Sequence, residues 1–165
     1  MAWLFPWLLF LHVLGAIVAF GPTFAFPFIG AMGGGEPHHA NFATRVSHAI
    51  GERLVFPIGI TLPITGALMI LVRGIDLLSP GNRWLVVAIV LYIIAYGYSF
   101  VVQRRLVERL IGITSTPPPA PAPGAAPAGP PPEVLALVER IQRGGMALAI
   151  LLVSIVALMV VKPAF

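Results

Sequence analysis

The stretch Arg53–Arg73, RLVFPIGITLPITGALMILVR, indicates the kind of fold that this chain adopts. Every residue between the two arginines is uncharged, and most are apolar. A helix needs about 20 apolar residues to cross the hydrocarbon core of a bilayer, and this run has that length. Because backbone N–H and C=O groups find no water there, such a segment spans a membrane as an α-helix. The stretch therefore predicts a transmembrane helix.

Three further uncharged runs of comparable length lie elsewhere in the chain. They are Met1–Gly35, Trp84–Gln103 and Gly144–Val161. Together the four runs predict transmembrane helices near residues 3–29, 42–72, 83–110 and 134–161. The expected fold is an all-α, four-helix transmembrane bundle with up-down topology, in which residues 1–165 form a single membrane domain.

The first run differs from a signal peptide. It has no basic n-region, and its apolar stretch is too long for a signal-peptide core, so we expect a retained helix. Gly21-Pro22 and Pro27 lie near its far end. Since a proline lacks the backbone donor and crowds the preceding turn, these residues predict a kink or an unwound final turn.

The composition agrees with a membrane protein. Hydrophobic residues make up 58% and charged residues 10% of the 165 residues, whereas soluble domains carry about 25% charged residues. The net charge of +4 does not indicate nucleic-acid binding, because the basic residues flank the apolar runs. The absence of cysteine excludes disulfides, thiolate metal sites and cysteine nucleophiles. No nucleotide-binding, metalloprotease or nucleophile-elbow motif is present, which disfavours an enzyme without excluding one.

The basic residues also predict the orientation in the membrane. Seven lie on the side of the first and third loops, and three lie on the side of the termini. The first set is Arg45, Arg53, Arg104, Arg105, Arg109, Arg140 and Arg143, and the second is Arg73, Arg83 and Lys162. By the positive-inside rule both termini lie outside. We expect a multi-pass protein of a bacterial inner (plasma) membrane, with the lipid bilayer as its surroundings.

Two loops have unusual compositions. Residues 115–133 include TPPPAPAPGAAPAGPPPE, which predicts a proline-rich cytoplasmic loop that acts as a semi-rigid spacer. Docking of a partner that recognises proline-rich peptide is the alternative. The first loop contains His38-His39, and metal binding there is a less favoured interpretation, because adjacent histidines lack the spacing of a good site.

One polar residue occurs at a similar depth in each predicted helix. Counted from the outer face, His12, Thr65, Tyr92 and Ser154 lie about 7–9 residues in, which is about 10–14 Å. Because polar side chains in lipid need partners, we expect the four to face inward and to meet. They form either a hydrogen-bonded layer that fixes the packing or the wall of a cofactor pocket.

A further set of polar residues predicts a path toward the cytoplasmic end. Tyr92, Tyr96, Ser99 and Gln103 share one face of the third helix. His48 and Glu52 lie four residues apart, so a hydrogen-bonded pair is expected. His48 should lie about 20 Å or more from His12, which excludes one haem shared between them.

Three segments resemble a family of predicted four-helix integral membrane proteins, domain of unknown function 2269. They are FLHVLGAIVAFGP (residues 10–22), RLVFPIGITLPITGALMI (53–70) and LMVVKP (158–163). More distantly, the layout resembles copper-resistance protein D and HemJ-type protoporphyrinogen oxidases. The latter resemblance implies haem b on a first-helix histidine, here His12. Those oxidases also use a lysine in a later helix, whereas the only lysine here is Lys162, at the end of helix four.

Three functional hypotheses remain open. The first is a bundle that binds haem or a similar redox cofactor through His12 as the iron ligand, with Thr65, Tyr92 and Ser154 around it. The iron is then five-coordinate or takes a sixth ligand from Met69 or Met159. The second is a non-catalytic accessory subunit of a larger membrane complex. The third is a small-solute or metal transporter, which lacks the intramembrane acids and aligned methionines that transport would need.

Overall fold

The computed structural model describes residues 3–115 and 129–163, and within these ranges all regular structure is helical. Four long helices account for it. They are α1 (Leu4–Gly35), α2 (Ala40–Arg73), α3 (Pro80–Thr114) and α4 (Pro132–Val161). Each is long and apolar enough to cross a membrane. The prediction of an all-α, four-helix transmembrane fold is confirmed.

The first helix is longer and more regular than the sequence suggested. It continues to Gly35, past the expected end at residue 29, and it includes Pro22 and Pro27 within its length. The expected unwound turn is therefore wrong. Transmembrane helices tolerate proline because small local adjustments and neighbouring groups satisfy the carbonyl that loses its donor.

The expected loop 115–133 lies mostly outside the described residues, since residues 116–128 are not described. Its end is helical rather than irregular, because α4 begins at Pro132. Proline suits the first turn of a helix, where the backbone N–H has no intrahelical acceptor. Glu133 follows in the same first turn, where a negative charge favours the helix dipole.

Two of the helices contain a π-helical turn. In α2 it covers Gly51–Val55, and in α3 it covers Ser99–Gln103. Such turns insert one extra residue into the helix and often occur at functional sites. Both turns lie next to the boundary between an apolar run and the arginines that flank it.

The bundle has two close helix pairs. The helix α2 packs along α1 over its length, and α3 packs along α4, while α1 also contacts α4. Between α2 and α3 the backbones approach closely at the arginine-rich end, the end with the first and third loops. Toward the other end, which we call the terminal end, tyrosine side chains span the space between α2 and α3. This arrangement is the expected up-down bundle.

Charged and aromatic side chains mark the terminal end of the bundle. The guanidinium of Arg73, at the end of α2, lies 3.9 Å from the ring centre of Phe5 in α1. The Lys162 amine, after α4, lies 5.7 Å from the Trp84 ring in α3. Cation–π contacts of this kind suit the membrane interface, where aromatic and basic residues are enriched. They place the ends of neighbouring helices at one level.

The outer surface of the bundle is apolar along the helices. Large aliphatic side chains are more than half exposed at Ile17 (64%), Ile93 (64%) and Ile150 (61%). The most buried positions are instead alanines, with Ala88 at 0% and Ala19 at 1%. Small residues at helix contacts and bulky residues outside are typical of a bundle surrounded by lipid.

Candidate cofactor site

His12 lies between α1 and α2, half-buried, and it contacts one of its predicted partners. Its Nδ1 lies 2.8 Å from the hydroxyl oxygen of Thr65. That hydroxyl has carbonyl acceptors within its own helix, the oxygens of Thr61 at 2.9 Å and Leu62 at 3.1 Å. The hydrogen bond therefore links two transmembrane helices in the half of the membrane that the depth count gave.

The hydrogen bonds around Thr65 define the tautomer of His12. A threonine hydroxyl has a single hydrogen, which is directed to the carbonyls of its own helix. With that hydrogen on a carbonyl, Nδ1 of His12 carries the proton and donates to Thr65 Oγ1. In the neutral ring Nε2 keeps its lone pair, and among the described residues it has no hydrogen-bond donor. This is the form in which imidazole binds metals.

Glycines allow the close approach of α1 and α2 around His12. A Cβ on Gly66 would lie 3.4 Å from Cε1 of His12, so the imidazole rests against a helix surface without a side chain. A Cβ on Gly15 would lie 3.3 Å from Leu62. The small residue Gly15 therefore serves helix packing on this side of His12, and it does not leave space for a flat ligand there.

Two of the four residues expected in the polar layer have other partners. The hydroxyl of Tyr92 donates to the backbone oxygen of Gly59, at 2.6 Å. The hydroxyl of Ser154 donates to Ile150 O in its own helix, at 2.9 Å. Of the four side chains, His12 and Thr65 hydrogen-bond to each other, while the hydroxyls of Tyr92 and Ser154 bond to backbone carbonyls. A hydroxyl can turn back onto its own helix, and a count of depth does not detect this.

The sequence explains why the Tyr92 hydroxyl bonds to the backbone oxygen of Gly59. Pro63 lies four residues after Gly59, and a proline has no N–H to donate to the carbonyl one turn earlier. The carbonyl of Gly59 is thus left without its helical donor in the membrane, and the Tyr92 hydroxyl supplies one. The signal for this contact was Pro63, which the depth count did not consider.

Met69 lies on α2, one helical turn beyond Thr65, and it is half-buried. The spacing of four residues places it on the same helix face as Thr65. Its use as a sixth iron ligand stays a prediction. His48 is also on α2, and the helix rise between it and Thr65 is about 25 Å, in line with its expected separation from His12.

A second polar cluster lies at the π turns of the arginine-rich end. Glu52 Oε1 lies 2.8 Å from Arg104 Nε, which also lies 3.0 Å from Glu108 Oε1. The expected hydrogen bond between His48 and Glu52 is absent among the described residues, because Arg104 takes the carboxylate. Glu52 and Arg104 each stand just outside an uncharged run on the same membrane side, which is the signal that sequence reasoning missed.

Two groups have the donor atoms that a metal ion would need. Ligand atoms of His48, Glu52 and Glu108 lie within 4.8 Å of one another. Since Arg104 lies between both carboxylates, this group is an ion-pair network in which one guanidinium is shared by Glu52 and Glu108. The second group is Glu36, His38 and His39, which is fully exposed at the first loop. His39 Nδ1 there lies 2.6 Å from Glu36 Oε2.

The residues around His12 fit one part of the chemistry of haem binding. Haem iron takes a neutral imidazole nitrogen as an axial ligand, and Nε2 of His12 has this form with Nδ1 oriented by Thr65. The two cavities described for the bundle lie at its other end, and neither is lined by His12. The hydroxyls of Tyr92 and Ser154 donate to the backbone oxygens of Gly59 and Ile150. His12 thus fits the role of one oriented axial ligand to haem iron.

These features describe a four-helix integral membrane protein with a part-buried histidine–threonine pair between two of its helices. The family described as "Predicted integral membrane protein (DUF2269)" matches residues 6–163, and the chain belongs to this family. The resemblance to this family expected from the sequence is thereby confirmed. Neither the curated proteins nor the solved structures contain a match to the chain.

Proposed function

We propose that this integral membrane protein binds haem b, or a similar redox cofactor, through Nε2 of His12. The observation that carries the proposal is the 2.8 Å hydrogen bond between His12 Nδ1 and Thr65 Oγ1. It leaves the lone pair of the ring on Nε2, the atom available for an axial bond. The distant resemblance to HemJ-type proteins, which implies haem b on a first-helix histidine, agrees with this choice.

The residues of the chain would position the ligand rather than react. Thr65 holds the imidazole in one tautomer and one orientation, and Gly66 gives the ring a flat surface to rest against. Such partners of a ligating histidine raise its basicity and restrict its rotation. When bound, haem supplies one-electron redox chemistry.

The proposal is tested by titrating haemin into the purified protein and recording the absorption spectrum. We expect wild type to develop a Soret band that saturates at one haem per chain, and His12→Ala to show only the spectrum of free haemin. His48→Ala is the matched control, since this histidine lies at the opposite end of the bundle. Equal binding by wild type and His12→Ala would overturn the proposal.

The sixth ligand is a separate question that the same spectra answer. We propose five-coordinate iron, because His12 is the one side chain whose hydrogen bonding assigns a ligand role. Met69→Leu, which keeps the volume of the side chain, should then leave the Soret and visible bands unchanged. A shift to a high-spin spectrum in Met69→Leu would instead assign Met69 as the sixth ligand.

A non-catalytic accessory subunit of a larger membrane complex is the second candidate. The observation that favours it is that the hydrogen bond between His12 and Thr65 already joins two helices without any cofactor. On this account His12→Gln keeps the fold, and the wild-type protein is colourless. Co-migration with a large complex in native gels, lost when residues 117–132 are deleted, would support it.

The surroundings of the protein are part of the proposal. Four apolar helices require a bilayer, and the positive-inside rule favours a bacterial inner membrane with both termini outside. The third candidate, a transporter for solutes or metals, gains little support, because the part-buried acid Glu52 already forms an ion pair with Arg104. Loss of solute uptake on mutation of Glu52 would revive it.

A further inference from the structure

A cleft opens between α3 and α4 at the arginine-rich end of the bundle. Its volume is about 450 Å³. It is lined by Tyr98, Val102, Arg140, Arg143, Gly144 and Ala147, among others. This cleft is at the opposite end of the molecule from His12, and its function is independent of any cofactor there.

The cleft follows from a glycine and a π turn that face each other. A Cβ on Gly144 would collide with the side-chain oxygen of Gln103 and would lie 2.6 Å from the Tyr98 hydroxyl. Gln103, the last residue of the π turn, donates from Nε2 to Ile141 O at 2.8 Å. These contacts hold α3 against α4 beside the cleft, whose apolar lining includes Val102 and Ala147.

The charge at the mouth of the cleft is positive and only partly compensated. Arg143 pairs with Glu139, at 2.5 Å. Arg140 is exposed and has no ion pair among the residues that the structure describes. An unpaired guanidinium beside a cleft is a binding group for a phosphate oxygen, to which arginine donates in a bidentate fashion.

The position of the cleft relative to the membrane indicates the chemical class of its ligand. Arg140 and Arg143 directly precede the uncharged run Gly144–Val161, so their guanidinium groups lie at the level of lipid headgroups. The walls formed by Val102 and Ala147 continue from this level into the apolar part of the bundle. A ligand that fits both parts has an anionic head and an apolar chain.

We propose that this cleft binds an anionic phospholipid, with the phosphate at Arg140 and one acyl chain against Val102 and Ala147. Basic pockets between transmembrane helices at the cytoplasmic surface recognise anionic headgroups in this way. The predicted orientation, with the arginine-rich end in the cytoplasm, brings the cleft to the leaflet surface that carries a negative potential. A bound lipid would fill the space between α3 and α4.

Native mass spectrometry of delipidated protein tests this proposal. Phosphatidylglycerol or phosphatidylcholine is added in increasing amounts, and the lipid-bound fraction is counted. We expect tighter binding of phosphatidylglycerol and about a fivefold loss in Arg140→Gln, the effect of one surface arginine. Ala147→Phe, which fills the cleft at an exposed position, should weaken binding of the same lipid without loss of fold.

Two matched variants control for nonspecific effects. Arg45→Gln removes an exposed arginine on the same membrane side but outside the cleft, and Ala157→Phe adds a ring to an exposed position elsewhere on α4. Both should bind phosphatidylglycerol like wild type. Equal affinity for the two lipids, or an equal loss in Arg45→Gln and Arg140→Gln, would overturn the proposal. Displacement of the lipid by millimolar inorganic phosphate would also contradict it, since it would show a site for the free anion.

Discussion

At the scale of single residues, the hydroxyl oxygen of Thr65 serves two helices. It donates its hydrogen to a carbonyl of α2 and accepts the hydrogen of His12 Nδ1 from α1. This double use favours one tautomer of the imidazole. The depth count brought the two residues together because each lies about two turns from the same membrane face.

The role of Thr65 gives a prediction about affinity. Thr65→Val keeps the shape of the side chain and removes the acceptor of the His12 hydrogen. We expect haem affinity to fall by about 10–100-fold, the usual effect of losing the partner of a ligating histidine. The measurement is the haemin titration monitored in the Soret region.

Thr61→Val is the control for this substitution. The hydroxyl of Thr61 donates to Ile58 O within α2, at 2.7 Å, and does not contact the imidazole nitrogen. Its loss should leave the affinity within about twofold of wild type, an amount that corresponds to less than 0.5 kcal/mol. If Thr61→Val and Thr65→Val lose affinity equally, Thr65 does not orient His12.

At the scale of helices, the sequence predicted the four helices, but it predicted only some of the contacts between them. Bilayer thickness fixes the length of an apolar run, so the charged residues around each run predicted the four helices. The π turns were not predicted, because one extra residue in a helix leaves no clear mark in hydrophobic periodicity. The contact between Tyr92 and Gly59 depends on a backbone carbonyl, and every residue has such a carbonyl. The carbonyl of Gly59 differs from the others in its helix because Pro63, one turn later, has no N–H to donate to it.

The link between Tyr92 and Pro63 can be tested with a double-mutant cycle. Tyr92→Phe should lower the free energy of unfolding by about 1 kcal/mol, because it leaves the Gly59 carbonyl without a donor in the membrane. In a Pro63→Ala background an alanine N–H can serve this carbonyl, so the same change should cost much less. The measurement is reversible unfolding in mixed micelles.

Tyr96→Phe provides the comparison within the same stripe. Its hydroxyl donates to Phe56 O, at 3.1 Å, and the residue four positions later is Ile60, which has an N–H. The cost of Tyr96→Phe should therefore not depend on Pro63. A cost of Tyr92→Phe that is equal in both backgrounds would refute the explanation through Pro63.

At the scale of the whole molecule, the membrane organises the fold. The boundaries of the uncharged runs meet in space: Glu52 pairs with Arg104 at one end, and Arg73 contacts Phe5 at the other. The neighbours of each helix could not be derived from the runs alone. They depend on glycines such as Gly144 and Gly66, which matter through what faces them and not through their position in the sequence.

The orientation of the bundle gives a prediction that the natural sequence makes easy to test, since it contains no cysteine. Leu78, in the loop between α2 and α3, is 91% exposed, and Ser115 is exposed at the end of α3. With both termini outside, a membrane-impermeant maleimide should label Leu78→Cys in intact cells and should not label Ser115→Cys. Labelling in the opposite pattern would reverse the orientation, and permeabilised cells, in which both react, provide the control.

The central claim is that His12 binds a haem-type cofactor, and the absorption spectrum of the purified protein tests it most directly. The protein is expressed in haem-replete cells and purified without added cofactor, beside His12→Ala. We expect a Soret band in wild type that shifts on reduction with dithionite and is lost in His12→Ala. A colourless wild-type protein, or a Soret band that persists in His12→Ala, would contradict it.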